Sequence, residues 1–409
     1  MPSSPEKSEL KIGILPLADA APIVMAHAKG FFAEQGLDVT IRVENSWAGL
    51  RDKLAAGMLD AAHMLAPMPL AATLGIDGVG VPMLTAMSLN LNGNGITVSN
   101  ALYQRLRLNE GDPLSVGAAL RRVIESDRQA GAPPLVFAHV FAYSTQHYEL
   151  RYWLSGCGID PRQDLKLVVV PPPQMVSQLQ EGRIDGFCVG APWGAVAEKA
   201  GLGRTVVNKY QIWNNSPEKV LGVTQEWAAR HPATHRRMIA ALIRSARWLD
   251  QPEHRAQAAH TLLDLNYLRG MSPATLETSM AIRDAAHPRG PGLVFHQGAA
   301  NFPWISHAQW FLEQMYRWEQ LRADLDTAGV AARVYRPDIY REAAKSVGEP
   351  YPLADVKPEG LHAQPWSVPG TAGELMLGSD LFFDGAVFDP RRPMISSARN
   401  ARALPISRL

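Results

Sequence analysis

The stretch Lys11-Ile-Gly-Ile-Leu-Pro-Leu17, followed by Ala20 to Gln35 and then Asp38-Val-Thr-Ile-Arg-Val43, sets the rhythm from which the fold is read. The apolar run over 11–17 predicts a strand. Ile23, Ala26, His27 and Gly30 recur near a helical period and predict a helix over 20–35 that Gly36 stops, and the alternation over 38–43 predicts a second strand. The same rhythm continues as a helix over 47–56, a strand over 59–65 and a short helix over 69–74, which completes one α/β lobe.

After Gly95 the pattern restarts, with helices expected over 114–128, 145–155, 174–180 and 193–199 and strands over 135–140, 167–170 and 184–189. A second α/β lobe follows from this, and 220–223 returns the chain to the first. Farther on, helices are expected over 232–250, 253–265, 273–285 and 307–321, and loops rich in Pro and Gly from Pro350 onward form a wrapping tail. The expected divisions are 10–97 for the first part of lobe 1, 98–222 for lobe 2, 223–345 for the helical completion of lobe 1, and 346–409 for the tail.

Composition agrees with a large folded unit. A chain of 409 residues exceeds what one hydrophobic core usually serves, and 46% hydrophobic against 19% charged residues is not a disordered composition. Lys and Arg number 40 against 39 for Asp and Glu, a formal charge of +1 that provides no broad basic surface for nucleic acid but permits a local cationic pocket. The charge-free run over 78–104 is interrupted by Pro82 and by Asn90-Leu-Asn-Gly-Asn-Gly95, so no membrane-spanning helix is expected. The start, Met1-Pro-Ser-Ser-Pro-Glu-Lys7, enters the first strand without a signal-peptide core, and a cytoplasmic location is expected from it. Two cysteines, Cys157 and Cys188, suffice neither for a disulfide framework nor for a four-cysteine metal site.

Two lobes create a cleft, and ligands of such sheets gather at strand C-termini and helix N-termini. The motifs of nucleotide and nucleophile chemistry are missing: there is no G-x-x-x-x-G-K-[ST] loop, no G-x-S-x-G elbow, no H-E-x-x-H pair, and no clustered metal signature. A binding protein rather than an enzyme is expected, with no catalytic residue, cofactor or metal. Among twelve histidines, His63 and His147 sit at expected strand or helix ends, where a structural histidine is the ordinary case.

Longer stretches carry a resemblance. Ala28-Lys-Gly-Phe-Phe32, Asp60-Ala-Ala-His-Met-Leu-Ala-Pro-Met-Pro69, Asn92-Gly-Asn-Gly-Ile96, Val169-Val-Pro-Pro-Pro-Gln-Met175, Phe187-Cys-Val-Gly-Ala-Pro-Trp193, Pro217-Glu-Lys219 and Phe382-Phe-Asp-Gly-Ala-Val-Phe-Asp-Pro390 fall in order along the chain. With them the sequence resembles the nitrate-binding proteins of ABC transporters, a family with bicarbonate-binding and cytoplasmic nitrate-sensing members; the match runs from about Lys11 to Pro390. The resemblance implies an α/β protein of the type II periplasmic-binding-protein fold, two lobes with a ligand cleft between them.

It also implies a site. Nitrate is a flat monoanion, and a pocket for it needs a compensating positive charge, N–H donors and a fitted wall, because an unpaired buried anion is costly. Lys219 matches the family's lysine and is implied as the charge, although composition alone suggests a solvated surface lysine. His147 is implied as a donor, Trp47 as a wall or indole donor, and Pro173 as wall. Asn94 stands where transport-type members have a longer Gln. Gly95 and Gly190 are implied as points of close backbone approach, with ordinary close packing as the plain alternative. Asp19 and Ala20 fall at the first strand–helix junction, where a helix N-terminus would face the cleft.

Bicarbonate-binding relatives carry an acidic, calcium-assisting residue after the pocket lysine; Val220 occupies that place here, so nitrate or nitrite without a metal is expected, with Glu218 keeping bicarbonate open. The lack of a leader aligns the chain with the family's cytoplasmic nitrate and nitrite sensors. That likeness implies a partner, an RNA-binding response-regulator-like antiterminator of the NasT type, with no direct nucleic-acid contact and no membrane insertion. The alternative is the periplasmic solute-binding component of a nitrate or bicarbonate ABC transporter, partnered by a permease. A thiamine-precursor-synthesis type of enzyme shares the fold, and for it only Cys188 with His147 offers a candidate pair.

Overall fold

A computed structural model of the chain describes residues 4–108, 111–283, 290–321 and 325–392. Its strands in chain order are β1 (Glu9–Ile14), β2 (Asp38–Val43), β3 (Ala61–Leu65), β4 (Met83–Leu91), β5 (Asn94–Ser99), β6 (Val136–His139), β7 (Lys166–Val169), β8 (Gly186–Gly190), β9 (Gly203–Asn208), β10 (Pro217–Thr224), β11 (Trp366–Gly370) and β12 (Gly373–Leu377). One five-stranded sheet has the order β2-β1-β3-β10-β4 and the other β7-β6-β8-β5-β9, while β11 and β12 pair as a hairpin. β1 runs parallel to β2 and β3, as the β-α-β rhythm requires, and β10 returns antiparallel between β3 and β4. In the second sheet β6 is parallel to β7 and β8, and β5 is antiparallel to β8 and β9.

The chain passes between sheets twice, at Asn92–Gly93 and again between β9 and β10. Both residues of the first crossing have positive φ, 62° for Asn92 and 98° for Gly93, a conformation that Gly adopts freely and Asn tolerates. Relative to the divisions expected at 97/98 and 222/223, β5 lies wholly in the second sheet and β10 wholly in the first.

The uncharged run over 78–104, which suggests no element by periodicity, holds β4 and β5. All nine residues of β4 are buried, since the helices Met68–Thr73, Thr327–Val334 and Pro337–Ser346 pack on this strand. A strand covered on both faces has no alternation to display. The helix expected over 20–35 is instead a 3-10 turn (Ala18–Ala20), a helix (Ala21–Ala28) and a short turn of helix (Phe31–Glu34), parted at Gly30, whose φ is +79°. A left-handed residue cannot continue a right-handed helix.

The later helices Pro232–Leu249, Pro252–Asp264, Pro273–Met280 and Ile305–Arg317 follow the expected stretches. The helix expected over 273–285 ends at Met280, and 281–283 are not helical; 284–285 lie outside the described residues, as does 393–409 of the tail. Two cores result. Ile12, Ile14, Val24, Leu221, Leu242, Phe295 and Trp304 pack in one; Phe137, Leu150, Trp153, Phe187, Trp310 and Phe311 pack in the other. Each such side chain contributes roughly 1.5–3 kcal/mol when fully buried. The described part of the tail is fastened to this body: Phe382 stacks on Trp213 with centroids 4.9 Å apart, and Asp380 accepts from the backbone N–H groups of Gly360 (3.1 Å) and His362 (2.7 Å). Among the described residues no helix is long and apolar enough to cross a membrane.

Candidate functional site

The C-terminal ends of the first sheet's β1 and β3 and the start of β10 face the second sheet, and here the chain buries a polar network. From the first lobe come Asp19 in the 3-10 turn, His63 on β3, and Glu218 and Lys219 on β10. The second lobe contributes Asn94 on β5, Lys209 just after β9, and Thr145, Gln146 and Glu149 from the helix Thr145–Gly156. All are buried, Lys219 completely. The surface position that composition alone suggests for Lys219 is therefore replaced by an interior one.

Lys219 Nζ lies 2.8 Å from Asp19 Oδ2 and 2.5 Å from Glu218 Oε1. Glu218 is the hub: Oε1 also accepts from Gln146 Nε2 (2.6 Å), and Oε2 accepts from Asn94 Nδ2 (2.7 Å), Lys209 Nζ (2.7 Å) and the Thr145 hydroxyl. Lys209 also pairs with Glu149, whose Oε2 accepts from Asn94 Nδ2 at 2.9 Å. Ser144 caps the helix by accepting from the His147 N–H (3.0 Å), which brings Thr145 and Gln146 onto the first turn, where the helix dipole favours a carboxylate.

Burial raises the carboxyl groups, but Lys219 and then His63 outweigh it at Asp19 and hold it at about 2. At Glu218 burial is likewise overcome by Lys209 and Lys219, so this carboxylate stays below its usual range. For Glu149 burial wins over Lys209, and Glu218 adds to it, so this group is pushed up. Lys219 is lowered by burial but raised further by Asp19 and Glu218, and remains charged. Taking each ion out of water costs several kcal/mol, so the cluster persists through this mutual pairing.

Above the network sits an apolar wall with unused polar atoms. Trp47 begins the helix Trp47–Ala55, capped by Ser46 (3.1 Å to Gly49 N), and its ring lies 5.5 Å from Lys219 Nζ and 5.6 Å from the His63 ring. Its indole Nε1 is buried without a hydrogen-bond partner among the described residues. His63 Nε2 comes within 3.0 Å of Asp19 Oδ1 but out of hydrogen-bond alignment. His147 Nδ1 meets His139 Nε2 at 3.2 Å, and His147 Nε2, like both ring nitrogens of His63, is buried without a hydrogen-bond partner among the described residues. Burial, with His139 and Arg151, holds His147 well below the ordinary imidazole range.

The residues implied by the resemblance thus separate. Trp47, Lys219 and Asn94 converge, and Gly190 joins them: a Cβ placed there would lie 3.4 Å from Asp19 Oδ2 and 3.5 Å from Asn94 Oδ1. The Asn94 amide, expected as an anion donor, is already committed, donating to two carboxylates and accepting from Gln146 (2.9 Å). Two buried carboxylates demand donors, and Asn94 is within reach. A Cβ on Gly95 would meet Thr205 Cγ2 at 2.9 Å, so this glycine answers to close packing. Pro173 is on the exposed side of the 3-10 turn Pro172–Gln174, and Pro172 is the buried one. His147 enters through its helix neighbours. Glu149, Lys209, Gln146 and Thr145 were not anticipated. For Thr145, Gln146 and Glu149 the signal in the sequence is a polar stripe on one face of a helix that also carries Leu150, Trp153 and Leu154, while Lys209 has no such signal.

Asn94 and Gly95 border a cavity of about 180 Å³ that also touches Gly194, Thr205, Asn208 and Leu293. A larger groove of about 1100 Å³ lies between 291–299 and β12, and none of the seven implied residues lines it. The polar cluster, with its unpartnered donors, is the better candidate for ligand chemistry.

Two α/β lobes meeting across a buried polar cleft, with β10 returning antiparallel into the first sheet, define the class: the type II periplasmic-binding-protein fold. The NMT1-like family model matches residues 3–263. The crystal structure of the periplasmic nitrate-binding protein NrtA from Synechocystis PCC 6803 superposes with a TM-score of 0.81 at 29% identity, covering 97% of this chain and 99% of that one. The nitrate/nitrite binding protein NrtA of Nostoc sp. PCC 7120 is 31% identical over 398 residues, 95% of this chain and 84% of that protein. The nitrate import ATP-binding protein NrtC of Synechocystis sp. PCC 6803 is 36% identical over 396 residues, 95% of this chain but 54% of its own length, so the chain spans about half of that relative. The chain belongs to the NMT1-like family and, within it, to the nitrate-binding proteins of ABC transporters.

Proposed function

We propose that the chain binds nitrate or nitrite between its lobes as the solute-binding component of an ABC importer. The observation that supports this best is the pairing of a buried cation with an unpartnered donor: Lys219 Nζ beneath the Trp47 ring, whose indole N–H is sealed from water and has no hydrogen-bond partner among the described residues. An unsatisfied buried N–H costs about 1–3 kcal/mol, which a small oxyanion recovers on entering. The lysine does not act as a lone positive charge, since Asp19 and Glu218 already match it. Selectivity then rests on donors and shape. The relatives named above are import components, and this favours import over the sensor expected from the sequence. A cytoplasmic location and an RNA-binding antiterminator partner belong to that alternative.

The test is calorimetry of the full chain with nitrate, nitrite, bicarbonate and chloride. Trp47→Phe keeps the wall and removes the donor, and a loss of about tenfold or more in nitrate affinity is expected from one buried hydrogen bond. Unchanged affinity overturns the assignment of this donor, and a failure of all four anions to bind overturns the function. Copurification with a permease supports import; copurification with an RNA-binding partner released by nitrate supports the sensor.

A further inference from the structure

The two histidines behind the cleft have a fixed proton arrangement. His139 Nδ1 lies 3.2 Å from the carbonyl oxygen of Phe141. A carbonyl only accepts, so His139 carries its proton on Nδ1, and its Nε2 bears a lone pair. His147 Nδ1, 3.2 Å from that lone pair, must then be the donor. Both rings are buried and neutral: burial, then Arg151, lowers His139 to about 4, and burial, His139 and Arg151 hold His147 lower than usual. The consequence falls on the far side of His147. Its Nε2, buried and without a hydrogen-bond partner among the described residues, is left as a bare lone pair. A lone pair repels an oxyanion, whereas an N–H attracts it.

We propose that anion binding in this cleft takes up one proton, which goes to His147 Nε2 and turns it from an acceptor into a donor toward the bound oxyanion. The inference rests on the proposed function and adds to it that the anion reaches His147 Nε2, whose helix neighbours Thr145 and Gln146 bond Glu218 beside Lys219. Nitrate is the conjugate base of a strong acid and cannot bring the proton, so it comes from solvent. The balance is even: one monoanion and one proton enter together, and the buried charge does not change. Nothing in the neighbouring cluster supplies that balance beforehand, because the positive Lys209 and Lys219 already face Asp19, Glu149 and Glu218. The charged and titratable groups around His147 are His139 on β6, Tyr148 edge-on at 5.1 Å, Glu149 and Arg151 on its own helix, Lys209 beside Glu149, and Asp19, His63, Glu218 and Lys219 across the cleft, Glu218 being reached through Thr145 and Gln146. His139 acts as a positioning residue, since its tautomer decides which nitrogen of His147 is bare.

The experiment is calorimetric titration of the full chain with sodium nitrate in two buffers of different ionisation enthalpy, at several pH values between about 6 and 8. Wild type is expected to take up protons approaching one per nitrate, with Kd weakening by up to about tenfold per pH unit as pH rises. His147→Gln presents an amide donor, and its Kd is expected to be independent of pH. His139→Phe removes the acceptor, which frees neutral His147 to hold its proton on Nε2; binding without proton uptake is expected. Imidazole 15N spectra of the wild-type chain follow the same event, with Nε2 changing from bare to protonated on addition of nitrate. Binding by wild type with no proton uptake and no pH dependence overturns the inference and leaves the proposed function standing. Absence of nitrate binding at every pH overturns both.

Discussion

Lys219 Nζ and Asp19 Oδ2 lie 2.8 Å apart although 200 positions separate them in the chain, and neither is reached by solvent. This ion pair ties the antiparallel return strand β10 to the first strand–helix junction. The same ammonium group is held by Glu218, through which the second lobe is attached.

Breaking this pair from one side leaves a buried charge unmatched. Lys219→Met is expected to cost about 3–5 kcal/mol, and the double variant Asp19→Asn with Lys219→Met to recover a large part of it. Urea midpoints of the single and double variants measure this. A fully additive pair contradicts the coupling.

Acidification acts through the buried histidines. His139 is held at about 4 and His235 at about 3, in both cases chiefly by burial, while the unfolded chain titrates near the ordinary value. The folded pKa is the lower one, so the unfolded state binds protons first. Stability is fully present above about pH 6.5 and is lost as pH falls toward the folded values, by up to about 1.4 kcal/mol per pH unit for each site. Denaturant unfolding between about pH 7.5 and 4.5 is expected to show this slope, and His235→Gln to reduce it.

The two cleft glycines are expected to differ. Alanine at Gly95 meets Thr205 Cγ2 at 2.9 Å and is expected to cost about 1–3 kcal/mol of stability through overpacking. Alanine at Gly190 meets Asp19 and Asn94 only at ordinary contact distance, so the fold should tolerate it while the narrowed cleft weakens nitrate binding. Thermal melts beside calorimetry separate the two effects, and a Gly190→Ala chain with undiminished affinity contradicts the placement of the ligand.

The tail clasp offers a further check. Asp380 accepts from the backbone of Gly360 and His362 and pairs with the His362 ring at 2.7 Å. Asp380→Ala removes all three contacts. It is expected to lower stability by about 1.5–3 kcal/mol and to open the segment around 360 to limited proteolysis. Unchanged cleavage there contradicts the clasp.

Much of the alternating architecture was legible because it rests on local periodicity. The strand over 38–43 and the helix over 193–199 match the structure residue for residue. β4 escaped because burial on both faces erases alternation, and the helix over 20–35 was over-extended because Gly30 looks permissive in sequence and is left-handed in fact. Of the residues that meet at the buried cluster, Trp47, Lys219 and Gly190 are implied by the resemblance, whereas Lys209 carries no motif and Glu149 only the polar stripe of its helix. Their burial depends on each other, across a distance in sequence that no local pattern spans.

The sequence by itself determined the two-lobe rhythm, the near-neutral charge and the family, since these follow from periodicity, composition and ordered motifs along one chain. Only the tertiary structure decided the state of each ionisable group. Whether Lys219 is solvated or sealed, whether the Asn94 amide is free or spent, and which nitrogen of His147 is bare all depend on partners delivered from the other lobe. Charge and hydrogen-bond roles are set by the few ångströms around a group, and those surroundings exist only once both sheets have come together.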